Sequence, residues 1–167
     1  GNTAGFKDGH EETMILVYTA NKAHSTSISK GSTQALSYST NRGRSWTKYS
    51  RNPILPYKYP HNRDPKVFWY EPTKKWVMSL YNGRDDNYIL YNSSNLKDWV
   101  ETGSYSAAGS ECPDMFQLPV NGDELNKKWI IWTGNGNYKV GEFDGENFTP
   151  ETESMFSYYG DSYAGQS

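Results

Sequence analysis

The sequence repeats itself with a period near fifty residues. A segment that begins with Pro65-Lys66-Val67-Phe68 and ends with Lys74-Lys75-Trp76 returns as one that begins with Pro113-Asp114-Met115-Phe116 and ends with Lys127-Lys128-Trp129. A second series runs through the same copies, since three segments of equal length each span a polar turn, at offsets of 53 and 49 residues: Tyr38–Trp46, Tyr91–Trp99 and Val140–Phe148. Periods of this size are typical of β-propeller blades and exceed those of the short solenoid repeats.

Short segments rich in β-branched and aromatic residues, bounded by Gly, Pro, Asn and Asp, dominate the chain and predict strands. These are Met14–Thr19, Gln34–Ser39, Ser45–Tyr49, Lys66–Tyr70, Lys75–Tyr81, Tyr88–Tyr91, Trp99–Glu101, Trp129–Trp132 and Tyr138–Phe143. Helical periodicity is limited to about one turn, near Asn95–Asp98 and Asp123–Lys127. The sequence therefore predicts an all-β fold.

The repeat count sets how much of a propeller the chain contains. At this period 167 residues hold about three blades, whereas a closed propeller needs roughly four to eight. We expect either the remainder of a longer protein or a second copy of the chain, in a homodimer, to cover the exposed sheet edges.

Composition narrows the function classes. The net charge is −2 and no basic stripe runs along the chain, so nothing indicates a nucleic-acid partner. No apolar run approaches the roughly 18 residues that span a membrane. Cys112 is the single cysteine, and Cys or His pairs at zinc spacing are lacking, so we predict no metal site and no cofactor. Six Trp and 14 Tyr suit twisted sheets and also a carbohydrate site, where rings stack on sugar faces.

Two acidic tripeptides occupy matching points of the repeat. Arg63-Asp64 and Glu111-Cys112 each stand just before the proline that opens a copy, where a blade-to-blade connection meets the innermost strand. In a propeller that strand lines the central channel. Two carboxylates on a channel wall suit glycosidic cleavage, one donating a proton and the other supporting positive charge at the anomeric carbon. Singly, each acid is more often a turn cap or a solvated side chain, so their equivalence across the repeat carries the argument. The prolines predict extended backbone at Asp64 and Cys112.

These blocks carry a resemblance to a known family. Arg63-Asp64-Pro65-Lys66-Val67-Phe68-Trp69 and Glu111-Cys112-Pro113-Asp114-Met115-Phe116 resemble signature blocks of the β-fructofuranosidase glycoside hydrolases, the family of invertases, inulinases and levanases. Further similar blocks are Leu36–Ser39 with Gly43–Trp46, Asn95–Trp99, Gly141–Gly145 and Tyr163–Gln166. The resemblance covers nearly the whole chain and implies the second to fourth blades of a five-bladed propeller, each a four-stranded antiparallel sheet, in a protein that usually ends in a β-sandwich.

The resemblance also implies roles for the acids, in a retaining mechanism that acts on non-reducing fructosyl ends of an oligo- or polysaccharide. Glu111 is then the acid/base, and Asp64 holds sugar hydroxyls and stabilises the transition state. Arg63 orients the same ring, and Cys112 counts among the substrate contacts. Proton donation asks for a raised pKa at Glu111, whereas Asp64 should stay ionised beside Arg63.

Four other residues are weaker candidates. Asp161 and Tyr163 are expected to line the funnel, and Trp132 and Asn135 to help form a leaving-group subsite. Residues near a chain end are more often simply surface, and loop asparagines are more often turn formers.

One element of the family pattern is missing. The family's nucleophile is an aspartate in an Asn-Asp-Pro block on the first blade, and the sequence contains no such block. We therefore expect the nucleophile-bearing blade, the closing blade and the β-sandwich to lie outside residues 1–167, and this chain alone to be inactive.

Two other readings stay open. One is a lectin-like scaffold of partial propellers that keeps the acids only as sugar contacts. The other is an arabinan- or sialic-acid-cleaving propeller glycosidase, since Ser39–Trp46 resembles a sialidase turn. A secreted or periplasmic location is favoured over a cytoplasmic one.

Overall fold

The computed structural model describes residues 4–6, 13–21, 31–107, 110–157, 160–161 and 163–167. The only helical element in these ranges is one 3₁₀ turn, Glu71–Thr73, and no helix there is long and apolar enough to cross a membrane. The strands are β1 (Met14–Ala20), β2 (Thr33–Ser39), β3 (Thr47–Lys48), β4 (Asn62–Tyr70), β5 (Lys75–Asn82), β6 (Asn87–Ser93), β7 (Val100–Ser106), β8 (Asp114–Val120), β9 (Asp123–Trp132), β10 (Asn137–Phe143), β11 (Phe148–Pro150) and β12 (Met155–Phe156).

The strands form three antiparallel sheets in chain order. Sheet 1 is β1-β2-β3, sheet 2 is β4-β5-β6-β7, and sheet 3 is β8-β9-β10-β11 with β12 paired to β10. Successive strands are neighbours, as in propeller blades, so the prediction of an all-β chain with about three blades is confirmed. Sheet 1 differs from the expected four strands, because the described residues supply only three, which correspond to the last three strands of sheet 2.

The three polar turns of the repeat occupy the same place in each sheet, between its last two strands. Ser39 Oγ and Ser93 Oγ each accept hydrogen bonds from two backbone N–H groups of their turn, at 2.9–3.3 Å. Asp144 Oδ1 does the same in the third turn, at 2.7 and 2.8 Å. A short polar side chain that satisfies backbone donors stabilises a tight turn, which explains why the pattern recurs.

Neither of the two stretches with helical periodicity forms a helix, in agreement with the predicted all-β fold. Asn95–Asp98 belongs to the second of these turns, where the Asn95 side chain accepts from the backbone instead of continuing a helix. Asp123–Lys127 is the outer half of β9 and pairs with β8. The turn Asn121-Gly122, with φ of 53° and 78°, joins those two strands as a hairpin and fixes their pairing.

Three strands were missed by the sequence prediction: β8, β11 and β12. Pro119 and Pro150 weaken the strand signal of β8 and β11, but both strands are at sheet edges, where a residue without an N–H is tolerated. β12 has only two residues.

Aromatic side chains fill the space between sheets 2 and 3. Phe68 and Trp129 have ring centroids 5.2 Å apart, and Trp129 and Phe143 lie at the same distance. Tyr70 packs against Phe143 at 5.1 Å and donates a hydrogen bond to its carbonyl oxygen at 2.9 Å. Two further clusters, built around Met78 and Leu36, pack sheet 1 against sheet 2. This packing places the innermost strands β4 and β8 side by side.

The loops of interest meet at one end of the sheets, the site end. β4 begins opposite the end of β5, where Asn62 pairs with Asn82, and β8 begins opposite the end of β9. The site end therefore contains the connection 49–61, residues 110–113 before β8, the β5–β6 turn and the β9–β10 turn.

Candidate active site

Equivalent positions on β4 and at the start of β8 touch one another directly. Three contacts join residues that are 48 positions apart: Arg63 to Glu111, Asp64 to Cys112, and Lys66 to Asp114. The two innermost strands belong to different sheets, so these side-chain contacts connect adjacent blades. The acids predicted from the repeat are brought together as expected, with one refinement: Glu111 is the equivalent of Arg63, and Cys112 is the equivalent of Asp64.

A single guanidinium lies between the two acids. Arg63 Nε is 2.5 Å from Glu111 Oε2 and 3.6 Å from Asp64 Oδ2, and Arg63 Nη2 also contacts the Glu111 carboxylate. The guanidinium lies over the Tyr81 ring, 4.8 Å from its centroid. About a third of each of these three charged side chains is exposed, so the cluster is open to solvent.

Asp64 and Cys112 share an unusual backbone. Their φ angles are 61° and 56°, so the extended geometry expected before proline is wrong at both positions. The β4–β5 register shifts between Arg63 and Lys66, and a bulge of this kind re-aims side chains at functional sites. The Asp64 N–H donates to Thr19 Oγ1 of β1 at 3.0 Å, and the Cys112 N–H donates to Asp64 Oδ2 at 3.3 Å. Left-handed backbone at a non-glycine residue costs about 1–3 kcal/mol, so its recurrence indicates a functional constraint.

The pKa values of the two acids shift in directions opposite to those expected from sequence. Burial raises the pKa of Asp64, against the opposing effects of the Cys112 hydrogen bond and the Arg63 charge. Hydrogen bonds from Tyr163 and Arg63 lower the pKa of Glu111. Burial is the larger cause at Asp64, and the Tyr163 hydrogen bond is the larger cause at Glu111. Arg63 adds to the difference, because it lies closer to Glu111 than to its chain neighbour Asp64.

Cys112 is a neutral donor at this site. Burial, followed by the nearby Asp64 charge, raises the pKa of its thiol to about 11. The Cys112 Sγ–H donates to Asp64 Oδ2 at 3.5 Å. Cys112 thus orients the Asp64 carboxylate through both its thiol and its backbone N–H.

The four weaker candidates differ in how close they lie to the two acids. Tyr163 reaches the site, since its hydroxyl donates to Glu111 Oε1 at 2.5 Å, although 58% of the residue is exposed. Asn135, in the β9–β10 turn, lies beside it, because its N–H donates to the hydroxyl of Ser110, the residue before Glu111. Trp132 is half-buried at the end of β9 and stacks on a neighbouring tyrosine, and Asp161 is exposed without a contact to either acid in the described part of the chain.

A buried ion pair that was not predicted from the sequence lies behind the acids. Lys66 Nζ is 2.7 Å from Asp114 Oδ1, and their side chains are only 12% and 2% exposed. The Met115 N–H donates to Asp114 Oδ1 at 2.8 Å, and Ser167 contacts both charges. Opposite charges at equivalent positions of the repeat were a visible signal for this pair. Among the residues with described positions, no cluster of His, Cys, Asp and Glu is arranged to hold a metal ion.

Adjacent propeller blades that bring two carboxylates together where two neighbouring innermost strands begin are typical of one class of protein, the propeller domains of glycoside hydrolases. The chain matches the model of the glycosyl hydrolases family 32 N-terminal domain over residues 4–167, and it belongs to that family. Members of the family have a five-bladed propeller at this position, which agrees with the blades seen here.

Named proteins with similar sequences support the assignment to this family. The chain is 39% identical to a levanase of Bacillus subtilis, over 98% of this chain and 26% of the levanase. It is 33% identical to an extracellular exo-inulinase of Aspergillus niger (93% and 35%) and 32% identical to invertase 1 of Saccharomyces cerevisiae (88% and 30%). The chain therefore spans about a quarter to a third of the length of these relatives.

Solved structures of an exo-inulinase and a fructofuranosidase superpose on this chain. The exo-inulinase of Aspergillus awamori superposes with a TM-score of 0.79 at 31% identity, over 90% of this chain and 35% of that one. The fructofuranosidase of Schwanniomyces occidentalis, solved in complex with fructose, superposes with a TM-score of 0.85 at 28% identity, over 98% and 34%.

Proposed function

We propose that this domain is part of a secreted hydrolase that cleaves β-fructofuranosidic bonds of a fructose-containing oligo- or polysaccharide, of the sucrose, inulin or levan type, by a retaining mechanism. The relatives that are named levanase, extracellular exo-inulinase and invertase support the substrate class and the location. The observation that carries the proposal is the placement of Arg63 between Asp64, on β4, and Glu111, in the segment that leads into β8.

Each residue has a role that its surroundings can support. Glu111 is the proton donor to the leaving group, and Asp64 accepts sugar hydroxyls and stabilises the developing positive charge. Arg63 and Cys112 keep Asp64 oriented. A fructosyl ring that takes up N–H donors of Arg63 draws the guanidinium away from Glu111, and this raises the pKa of Glu111 toward the value that proton donation needs.

A retaining mechanism also needs a nucleophile. Since the 167 residues contain no Asn-Asp-Pro block, we place the nucleophile outside them, on a first blade, together with the closing blade and a β-sandwich. The 167-residue chain then does not release fructose by itself.

The test compares the 167-residue chain with the product of the longest reading frame that contains it, on sucrose, inulin and levan. The longer protein should release fructose, and Glu111→Gln should lower its kcat about 10²–10⁴-fold, the usual contribution of a general acid. Glu142→Gln, the same change at an exposed position on β10, should leave kcat unaltered.

Three outcomes would contradict parts of this proposal. Fructose release by the 167-residue chain would place the nucleophile inside it. Full activity of the Glu111→Gln protein would remove Glu111 from the mechanism. Binding of fructosyl sugars without cleavage by a homodimer of the longer protein would favour the lectin-like scaffold.

A further inference from the structure

The bulge in β4 releases one backbone donor of the site from the sheet. The β4–β5 pairing shifts between Arg63 and Lys66, so the two residues between them have no paired residue on β5. Pro65 has no N–H, and the Asp64 N–H is therefore the donor that the bulge frees. A backbone donor at a partly buried position needs an acceptor. That acceptor is Thr19 Oγ1 of β1, in sheet 1, at 3.0 Å.

A buried glutamine fixes the direction of the Thr19 hydroxyl. Gln34 lies opposite Thr19 in the β1–β2 pairing, and the Thr19 hydroxyl donates to Gln34 Oε1 at 2.9 Å. Gln34 Nε2 donates in turn to the carbonyl oxygen of Asn62, the first residue of β4, at 3.3 Å. Gln34 is 1% exposed, so water does not compete for its amide. The hydroxyl proton of Thr19 is thus occupied, and a lone pair of its oxygen is left to accept from Asp64.

The same arrangement recurs one blade further along the chain. Cys112 is the left-handed residue equivalent to Asp64, and its N–H donates to Asp64 Oδ2 at 3.3 Å. At both positions, a side-chain oxygen of the preceding sheet accepts the N–H of the left-handed residue. Asp64 is consequently held from two sides, by Thr19 at its backbone and by Cys112 at its carboxylate. The direction of the carboxylate depends on both contacts.

We propose that Thr19, held by Gln34, is a positioning residue that fixes the backbone of Asp64 and thereby the direction of its carboxylate. Sheet 1 then acts on the reaction through Asp64. Left-handed backbone is unfavourable at aspartate and persists only where the surrounding structure holds it. Loss of the Thr19 hydroxyl removes the acceptor of the Asp64 N–H, so Asp64 should move away from Cys112. The effect on catalysis rests on the proposed function, whereas the effect on the position of Asp64 does not.

The first test uses the Cys112 thiol as a reporter of the position of Asp64. The nearby Asp64 charge contributes to the raised pKa of this thiol, so movement of the carboxylate away from it should lower that pKa. In the 167-residue protein, Thr19→Val should speed the reaction with iodoacetamide at neutral pH about threefold or more, the gain in thiolate from a fall of about half a pKa unit. Thr19→Ser keeps the hydroxyl and should keep the rate of the unaltered protein.

Two comparisons distinguish positioning from a general loosening of the fold. Thr102→Val removes the hydroxyl of another half-buried strand threonine, which donates to the carbonyl oxygens of Leu90 and Glu146, and it should leave the thiol rate unchanged. In an Asp64→Asn background, Thr19→Val should cause no further increase, because the charge that it displaces is already gone. A loosened fold would instead speed the reaction in both backgrounds.

The second test measures fructose release by the longer protein that contains this chain. Thr19→Val should lower kcat about tenfold to 10²-fold with a smaller change in KM, because a displaced carboxylate loses stabilisation of the transition state. Thr19→Ser should restore most of the kcat, and Thr102→Val should leave it unaltered.

The outcomes separate the role of Thr19 from the proposed function. An unchanged thiol rate in the Thr19→Val protein, or an equal increase in the Asp64→Asn background, would overturn the positioning role. A faster thiol reaction with an unaltered kcat would overturn the part of Thr19 in the reaction. If the unaltered longer protein released no fructose, the proposed function would fail, and the thiol comparison would still decide whether Thr19 holds Asp64.

Discussion

Removal of Lys66 should destabilise the protein far more than removal of an exposed lysine. At 2.7 Å, the attraction between Lys66 and Asp114 is about 6 kcal/mol with an effective dielectric constant of about 20. Desolvation of the two charges costs several kcal/mol each and cancels most of that gain, so the pair adds little net stability. Lys66→Met nevertheless leaves the carboxylate of Asp114 buried without its counter-charge, which should lower the free energy of unfolding by about 3–5 kcal/mol.

The assay is urea unfolding followed by tryptophan fluorescence. Lys74→Met is the control, because Lys74 pairs with Glu71 and both side chains are 68% exposed, so its loss should cost at most about 1 kcal/mol. The double variant Lys66→Met/Asp114→Asn removes both buried charges and should recover most of the loss, so the single effects should not add. A loss at Lys66 no larger than that at Lys74, or strictly additive single losses, would refute the reasoning.

Three further predictions concern the site and the blade packing. Glu111→Gln should lower the pKa of Asp64, because a like charge disappears and Arg63 becomes free to pair with it; ¹³C NMR titration of the carboxyl groups checks this, and a constant or higher pKa would contradict it. The Cys112 thiol should react with iodoacetamide at neutral pH about 100-fold more slowly than an ordinary thiol, because its pKa is raised to about 11. Asp64→Asn should speed the reaction by lowering the thiol pKa. If the pH dependence of the rate were the same in the Asp64→Asn protein as in the unaltered one, the contact with Asp64 would be excluded. Gly141→Ala should cost about 3 kcal/mol or more in urea unfolding, since its Cβ would lie 2.2 Å from a backbone carbonyl oxygen of β11, and a stability equal to that of the unaltered protein would show that this strand is free to move.

The repeat in the sequence was enough to predict the blades, because each blade uses the same local chemistry. Ser39 and Ser93 close equivalent turns with the same hydrogen bonds, and such short-range interactions can be read from residue type and spacing. Two of the three strands that were missed, β8 and β11, are edge strands containing proline, where the identity of the neighbouring strand, and not local propensity, decides the structure.

The electrostatics of the candidate site could not be predicted in the same way. The sequence places Arg63 next to Asp64, which suggests that the two pair, whereas in the structure its shortest contact is with Glu111, 48 residues away. The left-handed backbone at Asp64 and Cys112 also depends on a bulge that only the pairing of β4 with β5 reveals. Both features arise from the packing of one blade against the next, so the composition of either blade alone does not specify them.

The contacts at an offset of 48 residues have a consequence for how alike two copies of the repeat can be. If the second copy reproduced the first at these positions, arginine would face arginine and lysine would face lysine between β4 and β8. The two cations of β4 instead meet acids in the next copy, as Arg63 meets Glu111 and Lys66 meets Asp114. The copies are therefore alike in backbone but opposite in charge where they touch, so their order along the chain matters. A chimera that exchanged or duplicated the two copies would keep its strands and turns and lose the ion pairs between its innermost strands.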